Sequence, residues 1–285
     1  MAADLRHRRT PWDKARLHAF AAPSAGRWQG AVPSKTIDKH LTSSQFSTTV
    51  GIQLGVDIFD EALICRLCGI CMDTKGSHCF SCMCGGDAIL RHNDTRDIIY
   101  RFAVRARLQP ELEKAGLLHE PGLFLELRRP ADILVEGIAV GNSLRSCKVA
   151  LDVKVINAIG ANHLDHTRQG PLVAAEAYQE HALALNHTAA RCQAQGITYE
   201  PLVFTCQGGC ERHAEGIVAQ IAEAVARAEF VEAAAVKADM LEQISVCLAR
   251  NNARAIAQRM PLKTQSGSHQ LWRALRDAAA RVRGT

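Results

Sequence analysis

An α/β fold whose elements run helix, strands, helix, strand, helix is predicted for this chain of 285 residues. Three features predict it. A helix-period run over 88–108 precedes two β-favouring runs at 117–136 and 148–157. An alanine-rich periodic stretch over 171–195 then separates these from a third β-favouring run at 197–206. Further alanine-rich helical sequence begins at Ala214. With 47% hydrophobic residues the chain can bury a sizeable core, as one large or two small domains.

Residues 1–60 carry the weakest pattern. Trp28, Pro33 and the Ser/Thr run from Thr42 to Thr49 predict loops and short helices, with Phe46, Leu54 and Phe59 as anchors. Such a start would fit the remainder of a longer upstream domain. Residues 61–87 are rich in Cys, Gly and Met and predict a compact knuckle with little regular structure. From Ala88 the residues Ile89, Leu90, Ile98, Ile99, Phe102, Val104 and Ala106 recur at helical spacing until Pro110 stops the helix. Extended chain follows over 117–136, broken at Pro121-Gly122. Gly137 to Asn142 supplies a turn, and Lys148 to Asn157 the next strand. Pro171 to Gln195 reads as one helix ended by Gly196, and Ile197 to Cys206 as a strand closed by Gly208-Gly209. Ala214 to Val246 reads as one or two long helices. Four segments result: 1–60, a knuckle at 61–87, an α/β domain at 88–213 and a helical, basic extension at 214–285.

Net charge is +5, which permits a polyanionic partner without demanding one. No apolar run approaches the ~20 residues of a membrane span, and the basic start Met1 to Arg9 leads into no apolar stretch. Asp4 and Asp13 argue against a targeting peptide, so an intracellular protein without a membrane partner is expected. Aromatic residues make up 5%, which disfavours base stacking on aromatic platforms. From Arg250 to Thr285 there are eight Lys/Arg against the single acid Asp277. Arg273 and Arg276 could track phosphates there, or simply solvate a tail helix.

Six of the 11 cysteines lie between Cys65 and Cys84. In an intracellular chain such clustering points to metal ligation rather than a disulfide framework. Cys65-x2-Cys68 is a tight clamp, and His78-x3-Cys82 offers an imidazole and another thiolate. Two such pairs supply the tetrahedral N/S set of structural Zn²⁺, the staple a small Gly-rich loop needs. Cys71, Cys79 and Cys84 compete for the same role, and a set of buried cysteines without metal is the plainer alternative. No general base stands nearby, so the metal is expected to be structural.

Chemistry is expected from Asp132, in Arg128-Arg129-Pro130-Ala131-Asp132-Ile133-Leu134-Val135, and from Asp152-Val153-Lys154. Residues two apart on a strand share a face, so Asp152 and Lys154 project together while a neighbouring strand brings Asp132. Carboxylate oxygens suit a hard cation such as Mg²⁺ or Mn²⁺. A Lys beside them can orient or deprotonate an attacking water and offset charge on a phosphate. Arg128 and Arg129 adjoin this chemistry and are candidate phosphate contacts. An Asp–Lys ion pair on a solvated strand face is the bland alternative.

These elements resemble the PD-(D/E)-x-K nuclease superfamily, the restriction-endonuclease-like fold. Pro130-Ala131-Asp132 would be a stretched Pro-Asp motif and Asp152-Val153-Lys154 the Asp-x-Lys motif. A closer resemblance is to the zinc-knuckle and endonuclease tail that follows the reverse transcriptase in site-specific non-LTR retrotransposons. It rests on the Cys/His cluster, on Arg91-His92-Asn93 opening a helix, on Arg-x-Pro-x-Asp and on Leu-Asp-Val-x-Val, from about Cys65 to Gly209. The resemblance implies an αβββαβ core with a mixed central sheet flanked by helices. It selects Cys65, Cys68, His78 and Cys82 as zinc ligands and adds a further acid, for which Glu113 is the choice and Glu111, Glu120 and Asp97 are alternatives. It also implies nucleic-acid contacts from Arg91 and His92, with Asn93 or Asp94 otherwise capping the helix. The helix bearing Tyr178, Gln179 and Glu180 would carry a Lys, where this chain has His181-Ala182.

Two functions follow as expectations. The first is a metal-dependent endonuclease acting on DNA, with RNA as a further possibility, that leaves a 5′-phosphate and a 3′-hydroxyl. It would be nuclear if it acts on genomic DNA. The second is an inactive nucleic-acid-binding module from a decayed retroelement, favoured by the stretched motif and the missing helix Lys. The modest net charge also allows a zinc-stabilised interaction domain with no nucleic-acid role.

Overall fold

A computed structural model describes residues 10–118, 131–138 and 147–260. Helices α1 (Pro11–Phe20) and α2 (Ser43–Leu54) come first. Thr10 caps α1 ahead of Pro11, and Thr42 with Gln45 forms a capping box on α2. A two-stranded hairpin, β1 (Leu63–Ile64) and β2 (Cys71–Met72), leads to the short α3 (Ser77–Ser81) and then to α4 (Asp87–Arg105). Strands β3 (Glu111–Leu112), β4 (Ile133–Ile138) and β5 (Cys147–Ile156) follow, then α5 (Leu164–Thr167), α6 (Val173–Ala184) and α7 (Thr188–Ala194). Strand β6 (Ile197–Thr205) and helices α8 (Arg212–Glu229) and α9 (Ala233–Arg259) complete the described chain.

The sheet has the order β3-β4-β5-β6, with β3/β4 and β4/β5 antiparallel and β5/β6 parallel. A parallel pair needs a crossover, and α5 to α7 provide it. Alternation divides the faces. Val149, Leu151 and Val153 of β5 join Ile98, Ile99 and Phe102 of α4 and the apolar stripes of α8 and α9 in the largest core. On the other face Ala150 and Tyr199 meet Cys192 of α7, while Ile156 and Val203 meet Ala174 and Ala175 of α6. This is a mixed α/β fold with a mixed sheet flanked by helices.

Several sequence expectations change. Residues 10–60 are an integral part of the fold, because Ala15 and Ala19 of α1 share a core with Phe59, the Cys/His region and Ile256 of α9. Phe59 is an anchor; Phe46 and Leu54 stay exposed, with Phe46 set edge-on to Trp28. Of the turn expected from Gly137 to Asn142, Gly137 and Ile138 still belong to β4, where Gly137 accommodates a bulge with φ 87°, and residues 139–142 lie outside the described residues. The helix expected over 171–195 breaks at Leu185–His187, where His187 takes φ 53°. That break lets α6 and α7 pack separately along β6. The extension expected from 214 is core as far as Arg259: Leu241, Ile244, Leu248 and Ile256 are buried, since small alanines bring α8 and α9 close to the sheet and to α4. The tail from 261 lies outside the described residues.

Candidate functional site

The knuckle is built by a tight turn. Cys65 N–H donates to the Ile70 carbonyl and Gly69 N–H to the Cys65 carbonyl, with Gly69 at φ 76°. The turn folds Cys68 back beside Cys65. Helix α3 brings His78, and the residue closing it is Cys82. One ligand atom from each of Cys65, Cys68, His78 and Cys82 lies within 4.8 Å of the other three. Among the described residues no other group of three or more His, Cys, Asp or Glu ligand atoms converges in this way. A tetrahedral ion with bonds of ~2.3 Å to sulfur suits such a donor set, so the cluster could hold a metal such as zinc. Burial pushes the Cys65 thiol up, but backbone N–H groups of Leu67 and Cys68 and the His78 ring outweigh it and lower its pKa to about 6. A thiolate is the ligand form. Of the competing cysteines, Cys71 and Cys84 are exposed. Cys79 faces the core, where burial pushes its thiol up to about 12.

A second centre forms where β4 meets β5. Asp132 stands immediately before β4, and its Oδ2 accepts from the backbone N–H of Val153 at 2.7 Å. That places its carboxylate near Asp152 and Lys154, with both of which it interacts electrostatically. Asp152 and Lys154 share one face of β5, with Nζ 2.8 Å from Asp152 Oδ1. The Tyr199 hydroxyl of β6 donates to Asp152 Oδ2. The fourth oxygen, Asp132 Oδ1, lies 3.1 Å from His92 Nε2 of α4.

Burial and charge set the protonation of this group. Burial lifts the Asp152 carboxyl and outweighs Lys154 and Tyr199. It opposes a charged Lys154, yet the Asp152 and Asp132 carboxylates prevail and raise the amine's pKa. A 2.8 Å contact between the two fits an ionised pair at neutral pH. Tyr199 is raised by burial and by Asp152, so it remains a donor. For Asp132, burial is outweighed by His92, the Val153 N–H and Lys154, and the carboxyl is held below its ordinary value. A depressed carboxyl contributes stability that is present above the unfolded value of ~3.9 and is lost as pH falls through the folded one. Asp132→Asn is therefore expected to be less stable than the unaltered protein at neutral pH, with the difference starting to shrink below about pH 4 and vanishing once pH has fallen past the lowered folded value. Urea midpoints measured across that range check this.

The remaining predicted residues fall elsewhere. The Glu113 N–H donates to the Asp132 carbonyl at 2.8 Å, but its carboxylate pairs with Arg96 at 2.6 Å. Glu111 pairs with Lys114, and Asp97 with Arg96. Arg91 does not face solvent as a nucleic-acid contact would: it is 3% exposed, and its guanidinium donates to Phe80 O and Asn252 Oδ1. His92 turns toward Asp132. Asn93 and Asp94 do not cap α4, which begins seven residues before Asp94 with Gly86 as its cap. Tyr178 packs beside Val203 and Ile156 and interacts electrostatically with Lys154. Arg128, Arg129 and Glu120 lie outside the described residues.

Tyr199 is a member of this group that the sequence pattern does not single out. Its signal was a phenol in an otherwise apolar strand; the parallel register, with Asp152 opposite Pro201 and Ala150 opposite Tyr199, puts it within reach. Comparison with known protein families and with curated proteins finds no match to this chain.

Proposed function

We propose that the chain is a metal-dependent phosphodiester hydrolase acting on DNA, with Asp132, Asp152 and Lys154 as its catalytic group. One observation supports this above the others: Asp132, just ahead of one strand, and Asp152 with Lys154 from the next meet in a single half-buried patch. Carboxylate oxygens are the donors a hard divalent cation such as Mg²⁺ or Mn²⁺ takes, and bound there the ion would polarise a phosphoryl oxygen and lower the pKa of a water. Lys154, kept protonated by two carboxylates, orients that water by hydrogen bonding and offsets negative charge developing on the phosphate. Tyr199 and the Val153 N–H hold the two carboxylates in place. The Cys/His cluster would carry zinc in a structural role.

One observation favours a second reading, a nucleic-acid-binding module without catalysis. Each of the four oxygens of Asp132 and Asp152 already has a protein partner: His92, the Val153 N–H, Lys154 or Tyr199. Nicking of supercoiled plasmid in Mg²⁺ or Mn²⁺ separates the two. The hydrolase reading predicts nicking that Asp152→Ala removes. Salt-dependent DNA binding, unchanged in Asp152→Ala and without nicking, would establish the module instead.

A further inference from the structure

Arg91 and His92 are adjacent on α4 and point to the two centres. Arg91 reaches the Cys/His side: Nη2 donates to the Phe80 carbonyl at 2.7 Å, in the helix between His78 and Cys82. Its Nη1 donates to Asn252 Oδ1 at 3.3 Å, and Asn252 in turn donates to the Cys206 carbonyl beyond β6. His92 reaches the acidic side. An ionised carboxylate can only accept, so the Nε2 that meets Asp132 Oδ1 at 3.1 Å carries the proton. We infer that His92 is a positioning residue for Asp132 and that the Cys/His cluster sets its place through Arg91.

The path is short and made of rigid pieces. Helix α3 is also tied to the end of β5, where Asn157 Nδ2 donates to the Ser77 carbonyl and to Ser81 Oγ. A metal bound to the cluster would fix α3 and so fix the Phe80 carbonyl. Arg91 transmits that position to the second turn of α4, one residue before His92. His92 then holds one oxygen of Asp132 while the Val153 N–H holds the other. Supporting hydrogen bonds of this kind matter for ligand carboxylates by ~10–100-fold in metal affinity or activity. The inference rests on reading Asp132 as catalytic only for its effect on cleavage; the positional effect stands apart from that reading.

The test uses the full, zinc-loaded chain and reads the amide resonance of Val153, whose N–H lies on Asp132. His92→Ala and Arg91→Lys are expected to move that resonance upfield, Arg91→Lys because an ammonium cannot reproduce the two-ended guanidinium contact. His92→Gln, which restores an N–H donor, is expected to return it. Plasmid nicking should fall by ~10-fold or more in the first two and recover in the third. Thermal melts identify any variant that has lost its fold; the His92→Ala and His92→Gln pair decides whether His92 positions Asp132, and an unmoved Val153 resonance in folded Arg91→Lys overturns the path from the cluster. A Val153 resonance unmoved in folded His92→Ala overturns the inference. A resonance that responds as expected in a protein that never cuts DNA upholds the positional relay and overturns the hydrolase reading.

Discussion

Replacing Cys65 by Ser is expected to lower the melting temperature by ~10 °C or more and to abolish stoichiometric zinc binding. Cys65 is 1% exposed and sits in the core that joins α1, the knuckle and α9. Structural zinc sites contribute folding energy outright, since the ligand set exists only in the folded chain. Losing one thiolate should cost on the order of 4 kcal/mol, and for a domain of this size each kcal/mol moves the melting temperature by about 2–4 °C. Cys71→Ser is the control: Cys71 is exposed and outside the four-atom cluster, so it should melt within ~2 °C of the unaltered protein. Calorimetry with a chromophoric zinc assay measures both quantities. Equal melts for Cys65→Ser and Cys71→Ser, with no metal in either, would mean that the cluster is a set of packed thiols.

Arg259→Met is expected to have an effect of similar size; Arg259 is not one of the four ligand residues, although its side chain also hydrogen-bonds to Cys82. The Arg259 side chain is fully buried and meets Asp87 Oδ2 at 2.7 Å, with Asp87 itself 2% exposed. Its other donors reach the Ala255 and Cys84 carbonyls. Removing one member of a buried pair leaves the other charged and desolvated, which costs about 3–5 kcal/mol. Arg254 lies 3.7 Å from the other Asp87 oxygen but is half exposed, so it compensates little. Urea unfolding of Arg259→Met, Asp87→Leu and the double variant forms a cycle whose double should lose less than the sum of the singles. A loss under ~1 kcal/mol for Arg259→Met would show that the pair adds little beyond its packing.

Local periodicity made the helix at 87–105, the start of the helix at 212 and the strands at 147–156 and 197–205 legible to within a few residues, while it left open whether 214–246 is one helix or two. It also placed Asp152 and Lys154 on one face, because a two-residue spacing fixes that in any strand. The four clustered ligand residues were legible from spacing and resemblance together; composition alone left six cysteines open. Less visible were relations across the sheet. The Tyr199 contact joins residues 47 apart in the sequence and depends on parallel register, and nothing local encodes it. The family resemblance implies a nucleic-acid contact for Arg91, whereas burial in the fold gives it a backbone carbonyl and an asparagine. The break at Leu185–His187 was hidden by alanine richness, since helix propensity does not record where two helices must bend to follow one strand.

The most direct measurement is the nicking rate of supercoiled plasmid in Mg²⁺ or Mn²⁺ for the unaltered protein, Asp132→Ala, Asp152→Ala and Lys154→Ala, each first shown to melt cooperatively. Nicking that leaves 5′-phosphate ends and falls by at least ~10²-fold in all three variants is the predicted result. Nicking that survives them would place the chemistry elsewhere, and no nicking from a folded protein that binds DNA would make it the binding module.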